Sequence, residues 1–260
     1  MHQESREYRP HPRLDAAVRS YGTHVEMHTP ENQRHLVLPD ADVELVFYTG
    51  DGWFGLPGGP LMPLPPVFVR GPRSTSSSFE LCGLARVVGM KLRPWRIGLL
   101  PELGTPVDGY YVNVGAELRE LGERVRPLLE RGATELALER VEAALLERQR
   151  VQRQSLDEVD VVGLELDRTH GAARIASLAA AQGLSMRQLE RRFKSATGFA
   201  PKAFARLMRF TRASERLELD PGVSLTALSF ELGYADQAHF TREFRAFAGM
   251  SPGKYVASFT

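Results

Sequence analysis

The sequence predicts an α+β chain of two domains. The first is a β-rich, sandwich- or barrel-like N-terminal domain with a helical segment at its end. The second is an all-α C-terminal domain of two repeated helical units joined by a long helix. Three observations predict this. Short β-branched and aromatic runs punctuated by Pro and Gly fill the region from about Tyr8 to Asn113. Apolar residues then recur every three or four positions up to about Arg150. Towards the C-terminus the same residue pattern occurs twice.

A chain of 260 residues has room for one large or two ordinary domains, each with its own core. Its 43% hydrophobic and 25% charged content is that of a soluble globular protein. The longest apolar runs, such as residues 43–48, are far too short to cross a bilayer, so no membrane association is expected. Residues 1–7 lead into prolines rather than an apolar stretch, so no leader is expected either. The single cysteine, Cys82, excludes an internal disulfide framework and predicts a reducing cytoplasm.

In the N-terminal region residues 35–38, 43–48, 67–70 and 87–92 read as strands, with turns at 39–42 and 48–52. Several short strands spaced this way point to a sandwich or barrel-like sheet. Leu118, Leu121, Val125, Leu128 and Leu129 then mark one helix; Leu136, Leu138, Val141, Leu145 and Leu146 mark the next, with Gly132 between them. The polar segment 149–155 reads as a linker, which sets the expected domains at 1–150 and 151–260.

Beyond the linker, a shift of 51 residues pairs Leu189 with Phe240, Arg191 with Arg242, Phe193 with Phe244, Gly198 with Gly249, Pro201 with Pro252 and Phe204 with Tyr255. Before the turn the shift is 50, pairing Ile175 with Leu225, Leu178 with Leu228 and Gly183 with Gly233. Two helices about a tight Gly turn, used twice, describe two helix-turn-helix units. In the first, Ile175, Leu178 and Ala179 form an apolar stripe ending at Gly183, and Ser185 with Gln188 forms a capping box for the next helix. On that helix Leu189 and Phe193 share one face, while Arg187, Arg191 and Lys194 share another. Pro201 opens a connecting helix of about residues 202–218.

In the second unit Leu225, Leu228 and Leu232 form the supporting helix, Gly233 the turn and Asp236 the cap. Phe240, Phe244 and Phe247 form the core stripe, leaving Gln237, His239, Thr241, Arg242 and Arg245 outside. From Gly171 to Leu225 there are ten cations against four anions, a local net charge of +6 on a chain whose total is +1. A basic helical face beside Arg and Gln side chains suits phosphate attraction and major-groove reading of double-stranded DNA. Two such helices on one rigid connector should enter successive major grooves, about 34 Å apart.

The residues 227–234 together with Phe240, Phe244, Arg245, Gly249, Met250, Ser251, Pro252 and Tyr255 resemble the AraC/XylS family of bacterial transcriptional regulators. The resemblance covers about residues 172–258. It implies a seven-helix DNA-binding domain fused to a ligand-binding or dimerisation domain. The family's base-contacting positions fall on Arg187, Glu190 and Arg191 in the first unit, and on Gln237, Ala238, His239, Thr241 and Arg242 in the second. Glu190 could accept from a cytosine amino group or pair with Lys194; Ala238 offers only a methyl contact. Residues 38–47 and 88–94 resemble, more loosely, the β-rich sensor half of one subgroup, which names no inducer.

Outside this region the chemistry is sparse. Trp53, Phe54 and Trp95, with Arg93 and Arg96 to clamp an anion, are candidates for an effector pocket, against core or dimer-contact roles. His24 and His28, with His35 nearby, lack the spacing of a metal-bearing sheet, and no metal or other cofactor is expected. Cys82 reads as a buried structural thiol. No catalytic constellation, phosphate loop or dinucleotide fingerprint is present, so the chain is not expected to be an enzyme.

The resulting expectation is a cytoplasmic, sequence-specific bacterial transcription regulator that acts as an activator. Its expected partners are double-stranded DNA, RNA polymerase, a small-molecule effector and a second copy of the chain, paired through the helices between residues 115 and 150. The alternative is a DNA-modifying or repair enzyme that uses the helix-turn-helix module for targeting.

Overall fold

The structure is a computed structural model of the chain and describes residues 3–29, 34–55, 62–100, 110–111, 114–152 and 156–258, without the side chains of residues 3, 34, 35, 54, 55, 110, 111 and 152. Contacts divide it into two compact units. The first comprises Met1–Val37, Asp42–Pro72 and Ser77–Ser155; the second comprises Leu38–Ala41, Arg73–Ser76 and Leu156–Thr260.

The first unit is built on one antiparallel sheet. Its strands are β1 (Gln3–Tyr8), β2 (Val18–His28), β3 (Arg34–Val37), β4 (Val43–Gly55), β5 (Met62–Pro63), β6 (Val67–Arg70), β7 (Ser77–Leu92) and β8 (Tyr110–Tyr111). The hydrogen-bonded order is β1-β2-β7-β4-β6-β8, with β3 also on β7 and β5 also on β4. Alternation along the strands decides which side is covered. Tyr21, Val43, Leu45, Phe47, Val88, Met90 and Leu92 share a buried core with Leu118, Leu121, Val125, Val141 and Leu145 of two helices, α1 (Ala116–Glu130) and α2 (Thr134–Gln152). The intervening strand residues Val46, Tyr48, Phe68, Phe79 and Ala85 form a smaller cluster.

Four expectations need correction here. Residues 48–52 are not a turn: β4 runs through them, and the glycines accommodate a bulge. The register on β7 slips between Thr49 and Asp51, and Gly50 lies at φ 136°, a conformation available to glycine. Strands β1 and β2 escaped the hydrophobic reading because β2 carries Ser20, Gly22, His24, Glu26 and His28 at alternate positions, so no apolar run appears. Leu136 is exposed, and Ala137 takes the inward place beside Leu138. Helix α2 continues to Gln152, through the first half of the expected linker; residues 153–155 lie outside the described residues.

The second unit contains, in order, α3 (Glu158–Arg168), α4 (Ile175–Ala181), α5 (Met186–Thr197), α6 (Pro201–Leu219), α7 (Leu225–Glu231), α8 (Gln237–Ala248) and α9 (Pro252–Val256). Asp157 and Asp160 cap α3 reciprocally. The repeat is visible in the backbone. After α4, Leu184 N–H donates to Ala179 O and Gly183 N–H to Ala180 O; after α7, Tyr234 N–H donates to Ser229 O and Gly233 N–H to Phe230 O. Both are the same left-handed C-terminal closure, with Gly183 at φ 66° and Gly233 at φ 74°. The core is aromatic: Phe193 lies 5.5 Å from Phe204, Phe210 5.0 Å from Phe244, and Phe244 5.8 Å from Phe240. Two stripe positions are looser than expected: Phe247 is only half buried, and in α4 only Ala179 is fully buried.

Candidate nucleic-acid interface

Helix α5 is divided between two tasks. Leu189 and Phe193 are fully buried, whereas Arg187, Glu190, Arg191 and Lys194 are exposed. Its start is fixed by Ser185 Oγ, which accepts from Gln188 N–H at 3.3 Å while Gln188 Oε1 accepts from Ser185 N–H at 2.9 Å. Such a cap contributes about 1 kcal/mol and sets where the first exposed arginine projects. Glu190 forms no ion pair with Lys194 among the described residues, so the simple i, i+4 explanation for Glu190 does not hold in this structure. Arg192, off the buried face, instead meets Glu158 of α3 at 3.1 Å.

Helix α8 repeats the division. Phe240 and Phe244 are buried, and Gln237, Ala238, Arg242 and Arg245 are exposed, with His239 and Thr241 half buried. Asp236 caps it by accepting from His239 N–H at 2.6 Å. Neighbours hold two of the candidate readers. The Thr226 hydroxyl on α7 donates to Gln237 Oε1 at 2.6 Å, and the His239 ring stands edge-on to Tyr234 at 5.3 Å. In the sequence, the position of Thr226 on the supporting helix gives no sign of its contact with Gln237.

Between the two repeats lies an open cleft of about 750 Å³, formed by the start of α4, the first half of α6 and one side of α8. Glu243 lies in its wall and is buried, held by Arg206 at 2.7 Å and Arg209 at 3.4 Å. Arg209 also donates to Gly171 O and lies 5.1 Å from the Tyr234 ring centre. Burial pushes the Tyr234 hydroxyl pKa well above the usual tyrosine range, and Glu243 adds to that. With two arginines committed to Glu243, the cleft still presents Arg174, Lys202 and Arg242, all exposed and without an ion-pair partner among the described residues. In the sequence Arg174 and Lys202 contribute only to net charge, because nothing in their spacing says that they share a surface with Arg242.

The other candidates do not converge. Val43 pairs with Leu92 at one end of the β4–β7 ladder, whereas Trp53 pairs with Glu80 near the other. Ten residues of strand, roughly 33 Å, therefore separate Trp53 from the neighbourhood of Arg93 and Trp95. Trp53 is largely exposed and Trp95 is buried in a short 3-10 segment, Pro94–Leu99; the Phe54 side chain lies outside the described residues. Trp53 therefore does not share a pocket with Arg93 and Trp95. His24 accepts or donates at Ser5 Oγ (2.6 Å) and at Glu26 (2.9 Å), with His28 3.8 Å from the same carboxylate; the His35 side chain lies outside the described residues. Cys82 is exposed rather than buried, as is Asp51 opposite it on β4.

Comparison with known proteins bears on both units. Residues 178–258 match a family described as a helix-turn-helix domain, and residues 6–109 match a domain of unknown function, DUF6597. Over 90 residues, 35% of this chain, the sequence is 31% identical to the HTH-type transcriptional regulator MtrA of Neisseria gonorrhoeae; the chain spans 30% of that relative's length. The fold is similar to that of ToxT from Vibrio cholerae, with a TM-score of 0.54 at 9% identity, covering 92% of this chain and 99% of ToxT. ToxT bound to (E)-4-(8-methylnaphthalen-1-yl)but-3-enoic acid gives a TM-score of 0.52 at 11% identity, covering 92% of this chain and 99% of the other. At such identities the likeness to ToxT is one of fold. Residues 178–258 thus carry a helix-turn-helix domain, similar in sequence to part of a helix-turn-helix transcriptional regulator.

Proposed function

We propose that the chain is a cytoplasmic, sequence-specific transcription regulator. In this reading residues 151–260 bind double-stranded DNA, and residues 1–150 control that binding through a small-molecule effector or by pairing two chains. The observation that carries it is the duplicated helix frame. Helices α5 and α8 each have a side-chain N-cap, a left-handed glycine at the C-terminal end and a buried apolar spine, and each presents different polar side chains to solvent. Arg187, Glu190, Arg191 and Lys194 on α5, with Gln237, His239, Thr241, Arg242 and Arg245 on α8, are the proposed groove-facing set. Arginine suits guanine and glutamine suits adenine in the major groove. The exposed cations Arg174 and Lys202 are proposed phosphate contacts that fix position without reading sequence.

Control by an effector is supported by the ToxT-like fold, one member of which has been solved with an organic acid bound. RNA polymerase and a second copy of the chain are proposed partners on the same reading, with activation as the expected outcome. The experiment is selection of bound duplexes from random DNA by the full chain, with and without a metabolite pool. The expected result is an enriched sequence with two contact clusters about one helical turn, 10–10.5 base pairs, apart. Recovery of DNA with no enriched sequence would overturn the reading.

A further inference from the structure

The contact between Thr226 and Gln237 has no counterpart in the first repeat. Thr226 is the second residue of α7 and Gln237 the first of α8, and the hydroxyl donates to Gln237 Oε1 at 2.6 Å. The shifts of 50 and 51 that align the repeats place Ala176 and Met186 at these two positions. That pair cannot form such a bond, yet α4 and α5 are joined by the same left-handed closure as α7 and α8. The hydrogen bond is therefore not a requirement of the fold.

A threonine inside a helix commonly returns its hydroxyl to a carbonyl one turn back. Thr197 and Thr211 do so, donating to Phe193 O at 2.8 Å and to Leu207 O at 3.1 Å. Thr226 stands too near the start of α7 for this, because the residue four back, Gly222, precedes the Ser224 cap. Its hydroxyl proton is free to cross to the next helix.

The consequence lies in the Gln237 amide. Its oxygen and nitrogen diverge from one carbon, so an oxygen turned to Thr226 turns the nitrogen away. Nε2 has no hydrogen bond among the described residues, and Gln237 is exposed. The side chain then offers its N–H donors outward, where an unheld glutamine can offer a donor and an acceptor together. Adenine needs both at once, an acceptor for its N6 amino group and a donor for N7, whereas guanine presents two acceptors, O6 and N7. The Thr226 contact is weak in water and strengthens where DNA displaces that water.

We propose that Thr226 is a positioning residue that sets which base Gln237 reads. It holds the amide with its donors outward and so selects guanine over adenine. The proposal rests on the regulator reading given above, with Gln237 in the groove-facing set.

The test is selection from random DNA by the full chain and by its Gln237→Ala, Thr226→Val and Thr226→Ser variants. The position whose preference disappears in Gln237→Ala is the one that this residue reads. The parent should prefer guanine there, and titration should show that duplex bound about tenfold more tightly than its adenine counterpart. Thr226→Val keeps the β-branched shape and removes the hydroxyl. It should bring the two duplexes to within about twofold of each other, or favour adenine, at unchanged melting temperature. Thr226→Ser should restore the guanine preference. A purely structural Thr226 would change the affinity for both duplexes alike and leave their ratio at the parent value. Adenine preferred by the parent, a parental ratio in Thr226→Val, or no position that depends on Gln237 would each overturn the proposal and leave a sequence-specific regulator in place. A parent that enriches no sequence removes the regulator reading, and this inference with it.

Discussion

At the scale of single residues, exposure on a shared face separates the side chains that can read DNA from those that hold the fold. Arg191 and Arg242 occupy equivalent positions of the two repeats and are both exposed, so truncation should not disturb packing. Arg191→Ala and Arg242→Ala are each expected to weaken binding to a selected site by about 1–3 kcal/mol at unchanged melting temperature. Titration against the selected site and a scrambled duplex checks this; equal losses on both would reduce the pair to phosphate contacts. Glu243 is the opposite case, since it is buried and holds Arg206 and Arg209. Glu243→Ala leaves two guanidinium groups without their anion, one of them mostly shielded from water. Denaturant unfolding should show a loss of about 2–3 kcal/mol, discounted from a fully buried pair because Arg206 is nearly half exposed. A variant as stable as the parent would show that the arginines find other partners.

At the scale of elements, the two turns offer a controlled comparison. Gly183 and Gly233 have the same left-handed conformation, which costs any other L-residue about 1–2 kcal/mol. A Cβ at Gly183 meets nothing within 4 Å, whereas one at Gly233 comes within 3.1 Å of the Ala172 Cβ. Gly183→Ala should therefore carry the backbone cost alone, and Gly233→Ala that cost plus a local clash. Thermal unfolding that ranks them equally would mean that residue 172 gives way freely. The same turns explain how much could be read in advance. The C-terminal unit was legible because its caps, Gly turns and Phe stripes are local, one-dimensional signals, and the repeat stated each of them twice. In the N-terminal sheet a strand such as β2, with His, Glu and Ser on alternate residues, gains its order from cross-strand neighbours far away in sequence. The bulge at Gly50 likewise reads as a turn until its partner strand is known. The cleft was illegible for a related reason, since Arg174, Lys202 and Arg242 are brought to one surface by three different helices.

At the scale of the whole molecule, two titrations follow from burial and charge. Burial raises the hydroxyl pKa values of Tyr21, Tyr48, Tyr234 and Tyr255 above the ordinary tyrosine value of about 10. The folded chain therefore keeps phenolic protons that the unfolded chain sheds. Their contribution is fully present below about pH 10 and falls as the pH rises towards the folded values. Denaturant midpoints should drop between pH 9 and pH 11, and Tyr234→Phe should flatten that drop; an unchanged slope in the variant would assign it to other groups. Salt provides the second titration. The chain as a whole is close to neutral at +1, so its attraction to DNA must come from where its cations stand rather than how many there are. If Arg174 and Lys202 contact phosphates across the cleft, each accounts for about 0.9 units of the slope of log affinity against log salt. The double variant Arg174→Ala, Lys202→Ala should then lower that slope by nearly two units, equally on selected and random duplexes. Arg191→Ala should instead lose affinity mainly on the selected duplex. A double variant whose slope matches the parent would place the cleft away from the DNA backbone and leave the groove-facing helices to supply the electrostatic attraction.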